Sequence, residues 1–207
     1  MRPGYLKLKR SYGLWTAEVD PRSIVYRRRK NEWPGYVKRW PLLVCPGGWD
    51  LSDNDYEPFR LAQMRELFEE QLPYRETAFY RRMCAELASD GITHAPKLHS
   101  LEQVNAYFER LESLYTSMRD NGFQARGPAQ AQTEREITVR IARDGDLIKS
   151  GEGTHRLALA RLLEIARVPV VIDLVHPRWV ERCILRYDSD PAQAVRLALT
   201  DLSSPQA

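Results

Sequence analysis

The sequence predicts an α+β fold. Three observations carry this. Short runs of strand-type residues stand near both ends of the chain; apolar positions recur at helical spacing over about residues 55–121; and a strand–turn–strand–loop–helix–strand succession occupies about residues 137–176. The 207 residues are 43% hydrophobic and 29% charged, a composition that argues against wholesale disorder. Their number suits one domain.

In chain order, residues 17–24 read as a short strand running into a turn at Asp20-Pro21. A basic stretch follows, with Arg22, Arg27, Arg28, Arg29, Lys30, Lys38 and Arg39, and Trp33-Pro34-Gly35-Tyr36 is a second turn signal. The apolar run 41–45 reads as a buried strand. It stops at Pro46-Gly47-Gly48, in a flexible loop that presents Trp49 and Asp50.

From Phe59 the period becomes helical, through Leu61, Met64, Leu67 and Phe68. It resumes after Pro73 with Phe79, Tyr80, Met83, Cys84 and Leu87, and stops at Asp90-Gly91. Ser100 is the cap of the next helix, with Gln103 at the capping-box position. Val104, Tyr107, Phe108, Leu111, Leu114, Tyr115 and Met118 then form one stripe, and these aromatics read as core. Residues 122–136 are a polar loop.

Ile137-Thr138-Val139-Arg140-Ile141 alternates as a half-buried strand, Asp144-Gly145 turns a hairpin, and Leu147-Ile148-Lys149 begins the return strand. A Gly-rich loop feeds a helix from about His155 to Arg167. A β-branched strand follows over 168–175, then two short helices over 177–187 and 191–202.

Charge narrows the function. The chain carries 31 Lys and Arg against 28 Asp and Glu, and this near-balance counts against a protein that coats nucleic acid by charge alone. The distribution is uneven: residues 1–50 carry +7 and the remainder −4. Cys45, Cys84 and Cys183 form no CxxC pair, so neither a disulfide framework nor a zinc ribbon is expected. The first residues show no apolar secretory core, and no apolar run approaches the ~20 residues of a membrane span. A cytosolic (cytoplasmic) protein with no membrane partner is expected.

The 151–156 loop concentrates the chemistry. Gly151 and Gly153 permit a sharp turn with positive φ and a close backbone approach. The loop opens into a helix N-terminus, where unpaired N–H groups and the helix dipole favour an anion. Arg156 adds a planar fork suited to phosphate, and His155 a proton carrier near neutral pH. The same residues also read as a plain left-handed turn with His155 and Arg156 on the surface. Asp50 is a candidate general base or Mg²⁺ ligand, and equally a cap of the following turn. The basic stretch reads as an anion-reaching arm or as a solvated face.

Residues 137–147, then Gly151-Glu152-Gly153-Thr154-His155-Arg156-Leu157-Ala158-Leu159-Ala160, then Val168-Pro169-Val170, resemble the ParB/sulfiredoxin-like superfamily. Its shared pattern is a strand pair, a G-x-H-R loop, a helix with small residues and a V-P-V strand. Val19-Asp20-Pro21-Arg22-Ser23-Ile24 resembles its first strand and turn more weakly. The resemblance implies a small mixed sheet with helices, with the helical middle at about 55–121 as an insertion, and nucleotide phosphates held at Gly151, Gly153, Thr154, His155 and Arg156, to which Arg143 on the hairpin is added. Glu152 falls where the superfamily's kinase-type members keep a catalytic acid. Thr154 falls where sulfiredoxins keep their nucleophilic Cys, so repair of sulfinic acids is not expected. About thirty residues follow Val175, too few for the DNA reader of partition proteins.

The leading expectation is therefore a nucleotide-dependent phosphotransferase or phosphohydrolase that acts on a small molecule. Glu152, His155 and Asp50 are its catalytic candidates, and ATP, ADP or CTP with Mg²⁺ its nucleotide. The alternatives are a ParB-like nucleic-acid-binding or nuclease module, which the balanced charge disfavours, and a nucleotide-binding regulatory protein without turnover.

Overall fold

A computed structural model describes residues 3–10, 14–27, 32–51, 59–124 and 136–204. The fold is α+β. Among the described residues, seven α-helices accompany one mixed five-stranded sheet. The strands are β1 (Thr16–Val19), β2 (Tyr26–Arg27), β3 (Ile137–Ile141), β4 (Leu147–Lys149) and β5 (Val168–Val175). Their spatial order is β1-β5-β3-β4-β2. The β1–β5 and β3–β4 pairs are antiparallel, while β3–β5 and β2–β4 are parallel.

The chain forms two units. The first comprises Met1–Glu57, Ala125–Leu157 and Ile165–Ala207, and the second Pro58–Gln124 with Ala158–Glu164. The second unit takes in most of the helical stretch read from the sequence at about 55–121.

The first unit holds the sheet. Asp144-Gly145 makes the expected hairpin: Gly145 has φ +104°, and Ala142 and Asp146 bond across the turn at 2.9 Å. β3 is buried at all five positions, where alternation predicts a half-buried strand. The first residues of the chain explain the difference. Trp33, Val37, Cys45 and Trp49 pack with Ala142, Ile148 and Leu174 in one buried cluster, which covers the face that alternation leaves open. Val37 lies in a single-turn helix, α1 (Gly35–Lys38). The 41–45 run forms isolated bridges instead of a strand, with the Val44–Val175 bridge set beside β5. Asp20 caps a 3₁₀ turn at Pro21–Ser23, as Asp-Pro signals.

The second unit contains α2 (Phe59–Phe68), α3 (Ala78–Asp90) and α4 (Leu101–Asn121). Thr77 caps α3 and Gly91 ends it in the left-handed conformation. Ser100 caps α4 by accepting from the Gln103 N–H at 3.2 Å, while the Gln103 side chain accepts from the His99 N–H at 2.7 Å. Of the α4 stripe, Val104, Tyr107, Phe108, Leu111 and Met118 are buried while Leu114 and Tyr115 are half-buried, and Phe108 is stacked on Tyr74 at 5.3 Å.

After the Gly-rich loop comes α5 (Thr154–Leu162), which stops short of Arg167 because Glu164 takes φ +52°. β5 is followed by α6 (Pro177–Tyr187) and α7 (Pro191–Ser203), capped by His176 and Asp190 with Pro at each first position. No helix among the described residues is long and apolar enough to cross a membrane.

Candidate functional site

The 151–156 loop lies in the first unit, between β4 and the start of α5, and its geometry follows from one buried cation. Lys149 ends β4 with its side chain 1% exposed. Its Nζ donates to the Gly151 carbonyl at 2.8 Å and to the Glu152 carbonyl. The Thr138 N–H approaches the Glu152 carbonyl as well, at 3.4 Å. A planar trans peptide points its N–H opposite to its C=O. Drawing these two carbonyls toward the sheet therefore turns the N–H groups of Glu152 and Gly153 the other way. Among the described residues, the N–H groups of Glu152, Gly153 and Thr154 have no hydrogen-bond partner. Three successive unpaired donors thus stand at the start of a nine-residue helix, the kind of end that favours an anion.

The two glycines serve the loop differently. Gly151 and Gly153 have φ of +106° and +81°. A Cβ on Gly151 meets nothing nearer than Thr138 at 3.9 Å, so backbone conformation alone selects glycine there. A Cβ on Gly153 would lie 2.7 Å from the Ile137 Cα and 2.9 Å from its N. The close approach expected for a ligand is made at Gly153 by the chain's own β3.

Of the expected site residues, Gly151, Glu152, Gly153, Thr154, His155 and Arg156 stand together here. Glu152 is exposed, and Thr154 and His155 are half-buried on the first turn of α5. Arg156 is not on the surface: its side chain is 7% exposed, and its Nη1 donates to Glu136 Oε2 at 2.6 Å. Glu136 directly precedes β3 and was not singled out by the sequence pattern.

Asp50 and Arg143 are joined to each other instead. Arg143 donates from its backbone N–H and its Nε to Asp50 Oδ2, both at 2.8 Å, and from Nη2 to Oδ1 at 2.7 Å. The Asp50 side chain is 1% exposed. Burial pushes its pKa up, but the Arg143 hydrogen bonds and the nearby His176 outweigh this and hold it below the usual Asp value. Loop 46–50 is tied into the fold by buried contacts. Trp49 is fully buried and donates to the Cys45 carbonyl at 2.8 Å, and His176 Nε2 meets the Gly47 carbonyl at 3.1 Å. Both Asp50 oxygens accept from Arg143, a donor set that does not fit a Mg²⁺ ligand or a general base. Among the described residues, no group of three or more His, Cys, Asp and Glu side chains is arranged to hold a metal ion.

A second charged group lies beside the loop. Asp173 on β5 sits at an irregularity in the β3–β5 pairing and accepts from Arg140 at 2.9 and 3.1 Å, from Arg10 at 2.6 Å and from Ser150 Oγ at 3.3 Å. Burial opposes its ionisation, yet the two guanidiniums keep its pKa low. Trp33 stacks on Arg140 at 3.9 Å. Sequence reasoning missed this group, although a lone Asp within a β-branched strand was its visible signal. Burial pushes the Cys45 and Cys183 thiols to about 11, against neighbouring arginines, so neither is a thiolate at neutral pH.

Of the basic stretch, Arg22 pairs with Asp20 at 2.8 Å, and Lys38 and Arg39 are exposed. Arg28, Arg29 and Lys30 lie outside the described residues, as do 125–135 of the polar loop. No family model matches the chain. No curated protein and no solved structure matches it either.

Proposed function

We propose that the 151–156 loop holds the phosphates of a nucleotide, and that the protein is a nucleotide-dependent phosphotransferase or phosphohydrolase acting on a small molecule. One observation carries the proposal: the N–H groups of Glu152, Gly153 and Thr154 are left without partners where α5 begins. The G-x-H-R resemblance to the ParB/sulfiredoxin-like superfamily points the same way. Phosphate oxygens accept from the three N–H groups, and His155 and Arg156 stabilise charge on the transferring group. Glu152, exposed beside them, accepts the proton of the attacking hydroxyl or water. Asp50 has no part, since Arg143 holds it. Mg²⁺ accompanies ATP, ADP or CTP through the nucleotide's own phosphates.

Regulatory binding without turnover is the second reading, favoured by the pairing of Arg156 with Glu136 and of Asp50 with Arg143. Calorimetric titration with ATP, ADP and CTP, with and without Mg²⁺, tests both, followed by chromatography of the nucleotide. Saturable binding with product supports phosphoryl transfer. Saturable binding with no product on prolonged incubation supports the second reading. No binding at millimolar nucleotide overturns both.

A further inference from the structure

The β3–β4 hairpin turns at Gly145, at the end of β4 opposite to the 151–156 loop. Side chains of α6 reach this turn. A Cβ placed on Gly145 would lie 3.6 Å from Arg182 Nη2, 3.6 Å from Trp179 Cδ1 and 3.7 Å from Trp179 Nε1. Trp179 and Arg182 stand three residues apart on α6 and so share a face. Two N–H-bearing nitrogens therefore flank one point, which glycine leaves open. Neither has a hydrogen-bond acceptor among the described residues. Trp179 is 8% exposed, and the N–H of so buried an indole ordinarily finds a partner. Arg182 is exposed and makes no ion pair among the described residues. Both residues line a cleft of about 630 Å³ within the first unit, a volume suited to a small molecule. Buried Cys183 and Ala198 add apolar surface to it.

We propose that this cleft binds a small monocarboxylate with an apolar body, its carboxylate received by Arg182 and the Trp179 indole N–H. The site is separate from the 151–156 loop, and the proposal does not rest on the phosphate-binding reading. A carboxylate has two acceptor oxygens and matches one guanidinium donor and one indole donor set side by side. The apolar body lies against the Trp179 ring, Cys183 and Ala198. Charge in the cleft limits the ligand to one negative group. Asp201 also lines it, but accepts from Arg186 at 2.8 Å and from the Tyr187 hydroxyl at 2.6 Å. Asp144 lines it without an ion pair among the described residues and repels a second negative charge. Dicarboxylates and phosphates are accordingly disfavoured.

The test is a ¹H–¹⁵N correlation titration of the full chain with phenylacetate, uncharged phenylacetamide and the phenylmalonate dianion. The indole signal of Trp179 is identified by its loss in Trp179→Phe. The proposal predicts a saturable downfield shift of that signal with phenylacetate. It predicts binding of phenylacetamide at least about tenfold weaker, and weaker binding of phenylmalonate. Arg182→Gln changes an exposed side chain, and is expected to lower phenylacetate affinity at least about tenfold and to abolish the preference over phenylacetamide. No saturable binding of millimolar phenylacetate overturns the proposal, as does saturation that leaves the Trp179 indole signal in place. Equal affinity of Arg182→Gln and wild type for phenylacetate also overturns it, and so does phenylmalonate binding as tightly as phenylacetate. Should Trp179→Phe fail to fold, calorimetry on wild type and Arg182→Gln with the same three compounds reads the affinities directly, under the same criteria.

Discussion

Lys149 and Gly151 are two residues apart, yet the ammonium of the first donates at 2.8 Å to the carbonyl of the second from within the sheet. The same ammonium reaches the Glu152 carbonyl. A buried charge is thereby matched by two peptide dipoles, and the opposite edges of those peptides become donors facing away. Lys149→Met removes the buried ammonium, keeps an apolar chain of similar length, and is expected to cost about 1–3 kcal/mol because buried acceptors lose their donor. The loop carbonyls lose their donor, and phosphate affinity falls at least about tenfold in calorimetry, while circular dichroism shows the native secondary structure.

The glycines of the loop are expected to differ in what they tolerate. Gly151→Ala meets only the left-handed backbone penalty, about 1–2 kcal/mol, because the nearest atom to its Cβ is 3.9 Å away. Gly153→Ala adds contacts of 2.7–2.9 Å with Ile137, two of them with backbone atoms that cannot swing aside. Urea denaturation is expected to show a loss of about 3 kcal/mol or more for Gly153→Ala, clearly larger than for Gly151→Ala. Equal losses would mean that Ile137 does not fix the loop.

Asp50 binds protons less readily in the folded chain than in the unfolded one. Its contribution to stability is therefore full above the ordinary Asp pKa, about 4, and is lost as pH falls through the depressed folded value. Asp173 adds to the same acid limb. Asp50→Asn is expected to cost about 2–4 kcal/mol at pH 7, since it leaves Arg143 without its carboxylate. It should also flatten the fall in melting temperature below pH 4.

His176 titrates in a higher window. Its Nδ1 accepts from the Arg178 N–H at 3.1 Å to cap α6, which places the ring proton on Nε2, where it is donated to the Gly47 carbonyl. Burial lowers its pKa, against Asp50 and the Gly47 carbonyl, which favour the charged ring. A depressed histidine gives its full stability above about pH 6.5, and that stability is lost as pH falls through the folded value. His176→Asn keeps a capping oxygen and removes the titration, so the slope of stability below about pH 6.5 is expected to become shallower.

Local chemistry was legible in the sequence, and distant pairing was not. Asp144-Gly145, Ser100 with Gln103, and Asp90-Gly91 each act within a few residues, and each sits where its residue type requires. The loop at 151–156 was visible because glycines, a helix start and a basic fork adjoin. Asp50 meets Arg143 across 93 residues, and Arg156 meets Glu136 across 20; no periodicity encodes such pairs. Trp49 read as presented on a loop, whereas burying it within the aromatic cluster over β3 and β5 stabilises the sheet face that carries Arg140 and Asp173. Leu147-Ile148-Lys149 reads only as the beginning of a return strand, since alternation does not reveal a carbonyl pair that a buried cation will meet.

The most direct measurement is an amide ¹H–¹⁵N correlation spectrum of the full chain titrated with pyrophosphate. Phosphate binding at the loop predicts saturable downfield shifts of the Glu152, Gly153 and Thr154 amide protons, the largest in the spectrum. Saturation without movement of these three signals, or shifts centred on other residues, would contradict it.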